Sequence, residues 1–147
     1  MRREICTLTK VYHFSAAHRL HATRYSDEEN RRIFGKCNNP KGHGHDYHIE
    51  VKVMGNIDPE TGMVINLSEL DEMMKDIIEE LDHTRLDIEV PHFREFVPSG
   101  ENIAKYIWMR LQPKMKKGAP LHIKLWETQD NYFEYFEENY LATNLHK

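Results

Sequence analysis

Apolar positions along this chain recur with two different periods. Tyr12, Phe14, Ala16 and His18 share one parity, so residues 4–18 read as a strand with one largely apolar face. The alternation returns at Tyr47, Ile49, Val51 and Val53, set against His48, Glu50 and Lys52, and predicts a second half-buried strand over 46–56. Asp58-Pro59-Glu60-Thr61-Gly62 is a turn. The period then becomes helical. Leu70, Met73, Met74, Ile77, Ile78 and Leu81 form a broad apolar stripe, in a helix that Asn66 or Ser68 can cap. The methionines of that stripe are packing residues. Ser99 can cap a second helix with Ile103, Ile107, Trp108 and Leu111 facing inward, and Pro113 falls near its end. Two strands follow, at 120–128 and 132–137, joined through Thr128-Gln129-Asp130-Asn131. The segment from Thr23 to Lys36 reads as a long charged loop. The order ββααββ predicts an α+β fold, with a four-stranded antiparallel sheet carrying two helices on one face. Such a sheet has open edges that another copy can pair with.

Composition narrows the class. A chain of 147 residues with 39% hydrophobic content supports one domain, placed at 1–138. The tail from Asn139 to Lys147 is weakly patterned, as expected of a disordered end. A net charge of -4 gives no general reason to expect nucleic-acid or membrane partners. No segment has the apolar length of a membrane span, and residues 1–10 lack a signal-peptide core. Two cysteines, Cys6 and Cys37, make no disulfide framework, so a reducing, cytoplasmic setting is expected.

The candidate chemistry begins in Gly35-Lys36-Cys37-Asn38-Asn39-Pro40-Lys41-Gly42-His43-Gly44-His45. In a strand His43 and His45 point to one side, separated by a glycine that cannot obstruct them. An HxH pair alone reads equally well as two surface histidines. His18, at the end of the first strand's apolar face, supplies the third ligand that a catalytic zinc with one open position requires. His13 and His48 have the wrong parity, and His21 lies past the strand end. Cys37 sits in a polar, glycine-rich loop, which favours a reactive thiol over an inert buried one.

Two acidic positions remain open between functional and bland readings. In Leu81-Asp82-His83, a carboxylate beside an imidazole can hold a proton donor poised near neutral pH. Equally, His83 can simply favour the negative end of a helix. Adjacent residues are poorly placed to bond side chain to side chain on a regular helix. Glu127 ends the apolar face of Leu121, Ile123 and Leu125. It either reaches water there or accepts two hydrogen bonds from a ligand with adjacent N–H donors.

Phe14-Ser15-Ala16-Ala17-His18-Arg19-Leu20, the Cys37–His45 block, Leu81-Asp82-His83 and Trp126-Glu127-Thr128 occur in this order. Together they resemble the 6-pyruvoyltetrahydropterin synthase family, which also contains the queuosine-pathway enzyme 6-carboxytetrahydropterin synthase. The resemblance runs from about Val11 to Glu137. It implies the tunnelling fold, in which three subunits join their sheets into a barrel and two trimers stack into a homo-hexamer with shared active sites. It implies one zinc per subunit on His18, His43 and His45, with Cys37 as general base. Asp82 and His83 then serve as a proton shuttle reached from a neighbouring subunit. Glu127 anchors the pterin, and Ser99 lies in the pterin pocket, where Gly100 departs from the usual second hydroxyl residue.

The implied substrate is 7,8-dihydroneopterin triphosphate, converted to 6-pyruvoyltetrahydropterin with loss of triphosphate, for tetrahydrobiopterin synthesis. Magnesium would arrive with the phosphates. The alternative within the family is 6-carboxytetrahydropterin with release of acetaldehyde. The spacing between Cys37 and His43 and the long 23–36 segment resemble the biopterin-type enzymes. Intact Cys37, Asp82 and His83 speak against a non-catalytic zinc- or pterin-binding protein. Arg19, Arg24, Arg31, Arg32 and Lys36 either form a rim for the triphosphate or belong to a solvated loop, since Asp27, Glu28 and Glu29 interleave with them.

Overall fold

The alternating segments at the N-terminus pair with each other along their whole length. In the computed structural model, which describes residues 4–138 and Tyr140, β1 (Cys6–His18) runs antiparallel to β2 (His43–Gly55). The register sets Phe14 opposite Tyr47, Ala16 opposite His45 and His18 opposite His43. The second strand therefore starts three residues earlier than the apolar alternation predicts. Gly44 pairs with Ala17 as a regular strand residue, so both histidines of the HxH pair sit on the ladder.

β4 (Leu121–Trp126) joins the far edge of β2 and β5 (Tyr132–Phe136) joins β4, both antiparallel. A two-residue strand, β3 (Thr84–Arg85), lies parallel to β1 at Ala16 and Ala17. The sheet order is β3-β1-β2-β4-β5, so the sheet is five-stranded and mixed rather than four-stranded and antiparallel. Period alone cannot find a two-residue strand.

Two long helices cover one face. α2 (Leu67–Leu81) is capped by Asn66, whose Oδ1 accepts from the Ser68 N–H at 2.9 Å. It buries Leu70, Met74, Ile77 and Leu81 completely, while Met73 and Ile78 flank the stripe half-buried. α5 (Gly100–Leu111) is capped by Ser99 and buries Ile103, Ile107 and Leu111. These side chains share one core with Phe14, Tyr47, Ile49, Val51, Leu121, Ile123 and Leu125 from the sheet. Trp108 is only half-buried, its indole N–H donating to the Leu121 carbonyl at 3.1 Å.

Three short helices lie outside the predicted pattern. The charged segment 23–36 contains α1 (Asp27–Phe34), fixed by a capping box between Ser26 and Glu29 that period-based reading passes over. α3 (Leu86–Glu89) and α4 (His92–Glu95) fill the stretch between β3 and α5. No helix among the described residues is long and apolar enough to cross a membrane. Apart from Tyr140, the tail 139–147 lies outside the described residues.

At the first turn of α5 one contact has a clear energetic sign. A Cβ added to Gly100 would lie 2.0 Å from Cε2 of Phe133 on β5. Alanine outranks glycine in a helix by about 1 kcal/mol, but overpacking here should win. Gly100→Ala is expected to destabilise the fold by roughly 1–3 kcal/mol, measured by urea unfolding. Adding Phe133→Leu should recover part of the loss. A neutral or stabilising Gly100→Ala would show that the Phe133 ring yields without cost.

Candidate active site

The β1–β2 register converges three imidazoles at one end of the sheet. His18, 1% exposed, ends β1 on the core-facing parity; His43 opposes it, and His45 opposes the small Ala16. Their ring centroids lie 4.6, 5.1 and 4.9 Å apart, and one ligand nitrogen from each lies within 4.8 Å of the others. Nε2 of His18 and Nε2 of His43 are 3.0 Å apart. Two ligands about 2.0–2.1 Å from one zinc, at a tetrahedral angle, stand a similar distance apart, roughly 3.3 Å.

The tautomer of His18 follows from its backbone partner. Its Nδ1 lies 2.7 Å from the carbonyl oxygen of Pro98, the residue before the α5 cap. A carbonyl can only accept, so Nδ1 carries the proton and the Nε2 lone pair is free to bind a metal. His45 presents a buried Nε2 with no hydrogen-bond partner. An unpartnered buried nitrogen is costly unless something ligates it. The three side chains therefore fit a bound cation. Burial holds the pKa of His18 below the ordinary histidine value, against the Pro98 carbonyl, and the neighbouring imidazoles add to the depression. Burial also lowers His45, opposed by the carboxylate of Glu127. Both rings are thus kept neutral, the form that ligates.

Glu127 follows the last residue of β4, and its Oε1 lies 3.9 Å from Nε2 of His45, with both side chains more than four-fifths buried. It does not end in open water. A hollow beside it is lined by Gly44, His45, Asp46, Trp126, Thr128 and Gln129. Ser99 is placed by its capping role, accepting from the Asn102 N–H at 3.3 Å, one residue after the carbonyl that holds His18. Cys37 lies half-buried in a 3₁₀ turn over Gly35–Asn38. Its carbonyl accepts from the Leu20 N–H at 2.9 Å, and the Asn38 amide donates to the Leu20 carbonyl at 2.8 Å. The thiol-bearing turn is thereby tied to the chain two residues beyond His18.

Asp82 and His83 form their pair, but not on a helix. α2 ends at Leu81, Asp82 is extended, and His83 has φ 58°, which folds its ring back until Nδ1 is 2.9 Å from Asp82 Oδ1. The same carboxylate oxygen accepts from the Ser15 N–H at 2.8 Å, and the His83 N–H donates to the Ser15 carbonyl at 2.6 Å. The Ser15 N–H is the main influence that holds the Asp82 carboxyl below the usual carboxylate range; burial opposes it and His83 reinforces it. The His83 side chain is 83% exposed and lines a hollow together with Ser15, Ala17, Gly44, Asp46 and one of the three converging histidines, His45.

Of the five flanking cations, Arg19, Arg31 and Lys36 line one hollow with Asp27, while Arg24 stacks on Tyr25. The exposed His13 and His48 meet edge to face at 4.3 Å, away from the ligand set. The partnership of Pro98 with His18 is invisible in sequence, because a backbone carbonyl leaves no residue-type signal.

The depressed histidines set a pH dependence. Because their folded pKa values lie below the unfolded value of 6.5, the unfolded chain binds protons first as pH falls through that value. Metal-free protein should lose stability between pH 7 and 5, and metal affinity should weaken in the same window. Urea midpoints of chelated wild type and of a His18→Gln, His45→Gln double variant would test this. An equal acid slope in the variant would assign the loss to other groups.

Comparison with known proteins agrees with this arrangement. Residues 7–138 match the family model of 6-pyruvoyl tetrahydropterin synthase. The chain is 48% identical over 129 residues to a protein of Poecilia reticulata named 6-pyruvoyl tetrahydrobiopterin synthase, covering 87% of this chain and 88% of that one. Against the Homo sapiens protein of the same name, identity is 47% over 135 residues, covering 91% and 93%. A more distant relative from Aquifex aeolicus, named 6-carboxy-5,6,7,8-tetrahydropterin synthase, is 28% identical and covers 89% of this chain and 98% of its own. The solved structure of Caenorhabditis elegans 6-pyruvoyl tetrahydropterin synthase superposes with a TM-score of 0.89 at 40% identity, covering 94% of this chain and 99% of that one. With the motifs, the five-stranded sheet and the three converging histidines, these matches establish that the chain belongs to the 6-pyruvoyl tetrahydropterin synthase family.

Proposed function

We propose that this chain is a zinc-dependent lyase that converts 7,8-dihydroneopterin triphosphate to 6-pyruvoyltetrahydropterin and releases triphosphate. The observation that carries the reading is a cluster of three converging histidines, His18 buried and the other two partly so, with a carboxylate, Glu127, 3.9 Å from one of its members. His18, His43 and His45 would hold the metal, which when bound supplies Lewis-acid polarisation of substrate oxygens. Glu127 accepts two hydrogen bonds from the adjacent N–H donors of the pterin edge, in the fork geometry available to a carboxylate. Ser99, with its oxygen engaged in capping, still has a hydroxyl proton to donate at the pocket wall.

Cys37 removes a carbon-bound proton as thiolate, and Asp82 with His83 relays protons as triphosphate departs. No redox partner is needed, because the ring is reduced as the side chain is oxidised. The exposure of His83 in one chain supports its delivery to the site of a neighbouring subunit, in a hexamer made of two trimers. Magnesium enters as a companion of the substrate phosphates.

A second reading, cleavage to 6-carboxytetrahydropterin with release of acetaldehyde, uses the same ligands. The greater similarity to proteins named for the pyruvoyl product, 47–48% against 28%, favours the first.

Mass spectrometry of the zinc-loaded protein with 7,8-dihydroneopterin triphosphate should show 6-pyruvoyltetrahydropterin as the main product. Predominant 6-carboxytetrahydropterin with equimolar acetaldehyde would overturn the reading. Cys37→Ala should keep zinc and pterin binding while turnover drops by about 10²–10⁴-fold, the usual contribution of a proton-transfer group. Turnover near the wild-type rate would remove Cys37 from the base role. Glu127→Gln should chiefly weaken pterin binding, because it turns one acceptor into a donor facing donors.

A further inference from the structure

We infer that Arg85 and Asp87 form a positioning clamp that fixes the loop between Cys37 and His43 against the strand end carrying His18. Its kinetic consequence rests on the reaction proposed above; its geometric consequence does not.

The two side chains meet as a fork, Arg85 Nε to Asp87 Oδ1 at 2.7 Å and Nη2 to Oδ2 at 3.2 Å, each about four-fifths buried. From this paired state the guanidinium reaches back to the loop. Nη1 donates to the Lys41 carbonyl at 3.1 Å and Nη2 approaches the Pro40 carbonyl at 3.4 Å. The next residue is Gly42, at φ 71°, where an added Cβ would lie 2.8 Å from Arg85 Cζ. A planar guanidinium thus rests on bare backbone immediately before ligand His43. Asp87 completes the bridge, because its Oδ1 also accepts from the Arg19 N–H at 3.1 Å, one residue after ligand His18.

The pair therefore grips backbone next to two ligands that lie 25 residues apart in sequence. The third connection is covalent: Arg85 belongs to β3, two residues after His83, and pairs with Ala17 on β1. Within the loop itself, the hydrogen bonds are short-range, Gly42 N–H to the Asn39 carbonyl at 2.8 Å and Lys41 N–H to Asn39 Oδ1 at 3.0 Å. Those bonds shape the turn but do not set where it sits relative to β1. The Cys37–Asn38 end is tied to Arg19 and Leu20 by its own hydrogen bonds, and Arg85 with Asp87 places the Pro40–Gly42 end that leads into His43. Lysine has no planar fork and cannot serve a carboxylate and two carbonyls at once.

The test uses zinc-loaded Arg85→Met, Arg85→Lys and Asp87→Asn beside wild type, with kcat, KM, zinc content and thermal midpoint measured for each. The cobalt(II)-substituted proteins add a visible spectrum that reports ligand geometry without turnover. Misplacing catalytic groups by about 1 Å can cost 10²-fold in rate. The clamp predicts a kcat lowered by roughly that factor per folded subunit, with KM nearly unchanged. It also predicts a shifted cobalt spectrum and no rescue by lysine.

A raised KM with kcat preserved would overturn it and make Arg85 a contact for the substrate's anionic tail. An unchanged cobalt spectrum, with activity loss tracking unfolded protein, would reduce the pair to a fold-stabilising ion pair and equally overturn it. Should wild type release no triphosphate, the reaction reading fails while the cobalt spectra still judge the clamp.

Discussion

The register of β1 on β2 is the constraint on which the site depends. Side chains alternate faces with period two, so a slip of one residue would send His43 and His45 to the opposite side of the sheet from His18. The slip is opposed along the whole pair, because it would also turn Tyr47, Ile49, Val51 and Val53 out of the core. Each fully buried side chain of this size stabilises by about 1.5–3 kcal/mol. The three histidines need no local device to choose their face. The hydrophobic core chooses it for them, and Gly44 keeps the ladder regular between them.

Convergence alone does not make a ligand set, since imidazoles drawn together out of water leave nitrogens short of partners. The end of the sheet solves this by meeting the start of α5. Ser99 caps that helix, which brings the preceding Pro98 carbonyl to Nδ1 of His18 and fixes its tautomer. The Gly100–Phe133 contact packs the same turn against β5. The carbonyl that orients His18, a helix cap and a packing contact thus occupy three consecutive residues, Pro98 to Gly100. Perturbing any one of them acts on the others.

Much of this was legible in sequence because it rests on periodicity. His18, His43, His45 and Glu127 all terminate or interrupt apolar faces, and the faces themselves are written in alternation. The helices α2 and α5 were legible from their stripes and caps. What escaped has a common physical character. β3 has two residues and no period, α1 is announced by a capping box instead of an apolar stripe, and the Pro98 contact uses backbone. The Asp82–His83 pair was legible as residue types, but its geometry was not. Neighbours on a helix cannot meet as these do, and only the left-handed His83 beyond the helix end makes the contact possible.

That left-handed residue carries an argument of its own. A non-glycine residue in this conformation costs roughly 1–2 kcal/mol, and glycine or asparagine would relieve it at a helix C-terminus. His83 buries almost nothing, with 83% of its side chain exposed, so packing does not explain its presence. Two bonds to Ser15, one through Asp82 and one through its own N–H, hold the turn to the edge of the sheet despite the strain. The fold therefore holds an imidazole outward, oriented by a carboxylate kept ionised by a backbone donor. Fold stability alone gives no reason for that residue in that place. The proton-transfer role proposed for it would give one.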